Sequence, residues 1–169
     1  MQSPPAYFRE LKRVSKNQII WGGNYMTNFL EPSMGWIIWD KGQREFSLAD
    51  GEMAWTSFEK AMRIFNYSRG RALAENNREG GRLHPTQKPV ALYKWLLSHY
   101  AHPGDRILDT HLGSGSSRIA AYDMGFDFVG IELDKDYFEA EEKRYSDHVS
   151  QLDLIKPEEI QQLQFAVNK

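Results

Sequence analysis

Residues 107–132 constrain the chain more than any other stretch. They read as a strand, a glycine-bearing loop, a helix and a second strand in immediate succession. Ile107 and Leu108 lead into Asp109, Gly113-Ser114-Gly115 opens a helix that stops at Gly125, and FDFVGIE closes on Glu132. Glycines let a ligand approach the backbone closely, and the first turn of a helix presents N–H groups with no partner inside the helix. Glu132 follows Asp109 by 23 residues, a separation at which an acid on the tip of the second strand can accept the hydroxyls of a ribose. The unit reads as a site for a cofactor that contains a nucleoside. The competing reading is an α/β turn whose glycines only permit tight packing.

The loop narrows the choice of cofactor. Ser117-Arg118 stands where a dinucleotide fingerprint would need its third glycine, and no Lys-Ser/Thr pair of a phosphate-binding loop is present. An acid at the strand end, Asp109, disfavours a pyrophosphate and favours a cation. The sulfonium and α-amino group of S-adenosylmethionine fit that preference. A second element, His84-Pro85-Thr86-Gln87-Lys88-Pro89, precedes an apolar helical stretch, VALYKWLLSHY. Its two prolines stiffen the loop, and Thr86, Gln87 and Lys88 offer a hydroxyl, an amide and an ammonium suited to a carboxylate. The same residues could equally form a turn that begins the helix.

Elsewhere the pattern alternates between short strands and helices. Residues 6–16 space Tyr7, Phe8, Leu11 and Val14 as one face of a helix. Residues 18–21, 34–39, 52–58 and 63–67 read as strands, and DKDYFEAEEKRYSDHVSQ as a helix capped by Asp134. Residues 68–83 lack apolar periodicity and are expected to form a long loop, while residues 153–169 could hold one further short helix. No repeat or linker interrupts the 169 residues, so a single domain is expected.

Charge is unevenly spread. Residues 1–100 carry 14 basic against 9 acidic side chains, and residues 101–169 carry 7 against 14. Between Lys60 and Lys88, seven basic residues face only Glu75 and Glu79. Such a segment can attract a polyanion, although charge blocks are also commonly solvated loops. The chain has no cysteine, which excludes disulfides, thiolate zinc sites and cysteine nucleophiles and agrees with a cytoplasmic setting. The five histidines follow no metal-ligand spacing, so no metal site is expected. No apolar run approaches the roughly 20 residues that span a bilayer.

Two stretches, HPTQKPVALYKWLL and GDRILDTHLGSGSSRIAAYDMGFDFVGIELDKDYFEAEEKR, closely resemble the amino-methylating DNA methyltransferases of bacteria and phages. The match is to the permuted group, in which the catalytic motif precedes the cofactor motifs. RVSKNQIIWGGNY and EMAWTSF are similar to that family's segments beyond its catalytic motif. The resemblance implies an α/β, Rossmann-like fold dependent on S-adenosylmethionine, with a mixed, mostly parallel sheet and helices on both faces. It implies methyl transfer to N6 of adenine, or less readily N4 of cytosine, in double-stranded DNA, as in restriction–modification systems. Asp109, Gly113, Ser114, Gly115 and Glu132 match its cofactor loop and ribose acid, and His84 through Pro89 match its motif near the methionine end. His111 stands where the family more often has phenylalanine, either as a polar ring beside the cofactor or as a packed core residue. DNA contact is expected from Arg63, Arg69, Arg71, Arg78 and Arg82, with residues 68–83 as a short target-recognition loop.

The family's catalytic signature, Asp/Asn/Ser-Pro-Pro-aromatic, has no proper counterpart. Ser3-Pro4-Pro5-Ala6 places alanine where the ring that stacks on a flipped base belongs. No catalytic residue is therefore identified, and the motif is expected upstream of Tyr7. A fold without that central strand should leave two strand edges open, one on the strand ending at Asp109 and one on the strand containing Ile19 and Ile20. A second chain, a homo-oligomer or a longer protein could fill the gap. The alternatives to a DNA methyltransferase are an inactive cofactor- or DNA-binding remnant and a methyltransferase acting on RNA or a small molecule.

Overall fold

The computed structural model describes residues 5–45, 47–78 and 81–153. The chain forms two compact units, Met1–Arg78 and Glu79–Lys169. The expected helix after residue 153 lies outside the described residues.

Among its described residues the first unit holds a four-stranded sheet, two α-helices and two short 3-10 turns. Helix α1 (Pro5–Val14) buries Phe8 at 5% exposure, where it stacks on Phe29 with ring centroids 5.3 Å apart. Strands β1 (Ile19–Trp21), β2 (Ile37–Asp40), β3 (Gly51–Thr56) and β4 (Arg63–Asn66) lie in the order β1-β3-β2-β4. In β2 the period-two pattern of a pleated strand is plain: Ile37 and Trp39 are buried, while Ile38 and Asp40 are half-buried. Trp39 donates from Nε1 to the Tyr67 carbonyl at 2.8 Å, and Trp55 donates likewise to Glu31 at 2.8 Å. The large rings thus enter the core with their polar edge satisfied.

Among the described strands the four-stranded sheet is mixed, as expected, while two of the four pairings overall are parallel rather than most of them. β3 runs antiparallel to both β1 and β2, whereas β2–β4 and β5–β6 are parallel. The cause is local. The polar stretch 41–50 folds β3 straight back on β2, and an antiparallel return needs no helical crossover.

The expected loop over residues 68–83 is in part a helix, α2 (Arg69–Arg78). Ser68 caps it by accepting the Arg71 N–H on Oγ at 3.2 Å. Among the described side chains of α2, Ala72 and Asn76, one turn apart, are the buried ones, so the inward face shows no large apolar residue and leaves no periodic signal in the sequence. The Tyr67 hydroxyl donates to Glu75. Burial, then this carboxylate, push the phenol up to about 12.

The second unit holds helices α3 (Val90–Tyr100), α4 (Ser116–Asp123) and α5 (Lys135–Asp153) with strands β5 (Arg106–Asp109) and β6 (Asp127–Gly130). Leu97, Ala120 and Ala121 form a core against which Ile107, Phe126 and Phe128 pack. Alternate residues, Leu108 and Val129, are 36% and 47% exposed on the other face. The α4 crossover makes β5 and β6 parallel, with Asp109 opposite Gly130. Asp134 caps α5 as expected, accepting the N–H groups of Asp136 and Tyr137 at 2.9 and 3.2 Å. At the other end of α4, Asp123 accepts from Lys94 of α3 at 2.6 Å and contacts His148 of α5 at 2.7 Å. Among the described strands, β5 ends the two-stranded sheet and β1 ends the four-stranded one, each paired along a single edge.

If the Tyr67–Glu75 bond holds α2 to the sheet, Tyr67→Phe should cost about 1–2 kcal/mol, between the values of an ordinary hydrogen bond and of one to a fully buried charged group. Urea denaturation of the two proteins measures the difference, and equal midpoints would show that α2 is held by other contacts.

Candidate functional site

The site is built on the parallel pair β5–β6. The Asp109 carbonyl accepts the Ile131 N–H at 2.8 Å, and the Ile131 carbonyl accepts the Leu112 N–H at 3.0 Å. These bonds carry the ladder past the strand ends and fold the glycine loop over them. Gly113 (φ 55°) and Gly115 (φ 72°) take left-handed backbone conformations that side chains resist. The segment 112–117 is buried almost throughout.

Both expected acids are tied to this loop. Asp109 accepts the His111 N–H on Oδ1 at 3.0 Å and the Ser117 hydroxyl on Oδ2 at 2.5 Å. Glu132 accepts the Gly113 N–H on Oε2 at 2.8 Å, and the N–H groups of Leu133 and Asp134 on Oε1 at 2.9 and 3.0 Å. Burial pushes the Glu132 carboxyl up, but the backbone N–H groups of Asp134, Gly113 and Leu133, with His84, outweigh it and hold the pKa below its ordinary value. A carboxylate has about four acceptor positions. Three are filled by backbone, which leaves one, on Oε2, for a ligand hydroxyl.

The His84–Pro89 element joins the same place. A side chain at Gly113 would lie 3.3 Å from the His84 ring, so the imidazole covers the loop. Tyr137 of α5 meets that ring edge-on, with centroids 4.4 Å apart. Thr86 approaches His84 Nδ1 with its hydroxyl at 3.0 Å and its N–H at 3.2 Å. Gln87 accepts the Leu83 N–H on Oε1 at 2.8 Å, and Lys88 is half-buried in the same turn. His84, Gly113 and Glu132 therefore come together, while the Thr86 and Gln87 polar groups also build the turn itself. His111 is exposed, with Nδ1 3.0 Å from the Thr110 hydroxyl; the alternative of a packed core histidine is corrected. Ser114 is buried, its Oγ 3.3 Å from that of Ser116.

The basic residues divide between the units. Arg63 is exposed on β4, and Arg69 and Arg71 open α2, where the Arg71 guanidinium lies 4.7 Å from the centre of the Tyr67 ring. Lys41, Gly42, Gln43, Ser68, Arg69, Gly70 and Leu73 line an open groove at that helix start. Arg78 ends α2. Arg82, in the second unit, is exposed and donates to the His84 carbonyl at 3.1 Å. Sequence reading missed Ser117 and Tyr137. Ser117 occupied the place of an absent glycine and so registered only as a departure, and Tyr137 follows the capping Asp134 by three residues, a position fixed only by the helix turn.

A family profile described as DNA methylase, of N6 and N4 type, matches residues 10–143. The chain belongs to this family of DNA methylases. It is 42% identical over 65 residues to a protein of Escherichia coli K12 described as a methylase, YubD, covering 38% of this chain and 29% of that one. It is 33% identical over 72 residues to the type II methyltransferase M.HpaI of Haemophilus parainfluenzae, covering 43% and 23%. The chain thus matches less than a third of the length of either relative. Among solved structures, the M1.HpyAVI complex with SAM superposes with a TM-score of 0.65 at 23% identity, over 84% of this chain and 82% of that one. A protein of Thermus thermophilus described as a DNA modification methylase gives 0.55 at 16% identity, over 86% and 75%. These likenesses establish the α/β methyltransferase fold. No described helix is long and apolar enough to cross a membrane.

The Glu132 pKa is lowered on folding, so its stabilising contribution is complete above the ordinary carboxyl value of 4.5 and is lost as pH falls through the depressed value. Melting followed from about pH 6 to about pH 3 should show Glu132→Gln flattening that acid-side loss. Parallel curves for the two proteins would contradict the bonding described.

Proposed function

We propose that this chain carries the cofactor-binding part of a DNA methyltransferase that moves a methyl group from S-adenosylmethionine to N6 of adenine, with N4 of cytosine the less favoured target. The observation that carries the reading is the pair of carboxylates, Asp109 and Glu132, at adjacent parallel strand ends around Gly113 and Gly115.

The residues present fit that cofactor. Glu132 is held ionised and keeps one acceptor position for a ribose hydroxyl, and the left-handed glycines leave the loop backbone open to close approach. Asp109 places negative charge near a cationic ligand. His84, Thr86, Gln87 and Lys88 stand for its methionine end, with Ser114 and His111 at the loop. When bound, S-adenosylmethionine supplies a methyl group on a sulfonium, which leaves as a neutral thioether as the new C–N bond forms. The chain's own part is to orient that cofactor. Polarising the target amino group belongs to the Asp/Asn/Ser-Pro-Pro-aromatic signature, which the 169 residues do not contain with its ring. The open edges of β5 and β1 among the described strands support a strand bearing that motif being contributed from elsewhere, by a longer protein, a second chain or another copy.

Arg63, Arg69, Arg71, Arg78 and Arg82 are proposed to meet double-stranded DNA, with the start of α2 contacting phosphates. The setting is cytoplasmic. Calorimetry should detect S-adenosylmethionine binding to the purified chain, and no heat at millimolar cofactor would sink the proposal. Tritium transfer to unmethylated duplex by these 169 residues alone would overturn the view that the catalytic strand comes from elsewhere. DNA affinity should fall steeply with salt, and Arg69→Ala should lower the slope of log affinity against log salt by about 1. A slope unchanged by that substitution would remove Arg69 from the interface.

A further inference from the structure

Helix α5 also supports the glycine loop at residues 114–116. Arg144 is 8% exposed, and its Nη1 donates to the Ser114 carbonyl at 2.6 Å and to the Ser116 hydroxyl at 2.9 Å. Three residues earlier on the helix, Glu141 is 1% exposed. A Cβ on Gly115 would lie 2.4 Å from Glu141 Cγ and 2.5 Å from its Oε1. The glutamate therefore fills the space that the glycine leaves, and a side chain at 115 would meet both this clash and an unfavourable φ of 72°. Arg118 of α4 holds Glu141 with bonds of 2.9 and 3.2 Å, and also pairs with Glu142.

Burying charged groups is costly, and packed apolar side chains would often stabilise such a junction as well. What apolar residues could not do is hold one carbonyl and one hydroxyl, on either side of Gly115, from a single guanidinium nitrogen. We propose that Arg144 and Glu141 are positioning residues, fixing the backbone of residues 113–117 in the shape that receives the nucleoside-containing cofactor. The proposal rests on the reading of this loop as the S-adenosylmethionine site. Neither side chain touches the cofactor; both act through Ser114, Gly115 and Ser116.

Arg144→Lys in the full chain tests it, because the charge stays while the planar group that aims both bonds is lost. Without cofactor, hydrogen exchange at the amides of residues 114–117 should quicken roughly tenfold, the size of one lost charged hydrogen bond, while the α3 amides stay as protected as in the parent. S-adenosylmethionine affinity by calorimetry should fall by a similar factor. Glu141→Gln, which keeps the shape that fills Gly115, should retain more affinity than Glu141→Ala. Ser116→Ala removes one acceptor without disturbing the core and should show a smaller effect of the same kind, which keeps the idea testable if Arg144→Lys does not fold. Unchanged loop exchange in Arg144→Lys and Ser116→Ala would overturn the proposal. So would loss of protection spread evenly over the unit, which marks a purely structural role. If the parent chain binds no S-adenosylmethionine, the cofactor reading fails by itself, and the exchange measurement still decides whether α5 sets the loop.

Discussion

The parallel register of β5 on β6 is the constraint on which the cofactor unit depends. Asp109 stands opposite Gly130, and the next N–H, that of Ile131, binds the Asp109 carbonyl. This alignment sets Glu132 beside the loop that begins after Asp109. A slip of β6 by one residue would turn Phe128 out of the core and carry Glu132 away from the glycines. Packing and chemistry are therefore fixed by the same few backbone bonds: the apolar alternation chooses the register, and the register delivers the carboxylates.

The loop beyond the strand ends is held by a set of polar contacts together with the buried Leu112. Each acid meets backbone N–H groups or a hydroxyl within the loop, and the imidazole of His84 closes it from above. At residues 114–116, α5 contributes a buried guanidinium and a buried carboxylate. The unit's apolar core lies lower, between α3, α4 and the inner face of the two strands. That division suits a binding site, since a rigid support carries a loop whose shape is set by directional bonds.

Much of this arrangement was legible in the sequence because it obeys short-range rules. Strand runs ending in acids, glycines between them and a proline-bounded turn each leave a local mark, and Asp134 announced α5 through its capping chemistry. The missed features are those in which the partner is remote in sequence. α2 was hidden because its buried face is an alanine and an asparagine, which leave no apolar period in the sequence. Tyr137 and Arg144 look like ordinary helix residues until the helix is laid against the loop. The parallel share of the sheet was overestimated for a similar reason: strand runs show that a strand exists, while direction is decided by how each connection returns.

Gly115 and Glu141 illustrate a further consequence. The two positions together make one solid shape, with the missing side chain of one supplied by the other from 26 residues away. Neither can drift independently without opening a void or a collision. In related chains the size of the residue at one position should therefore be inversely tied to its partner, and the pair is better regarded as a single inherited part than as a loop residue and a helix residue.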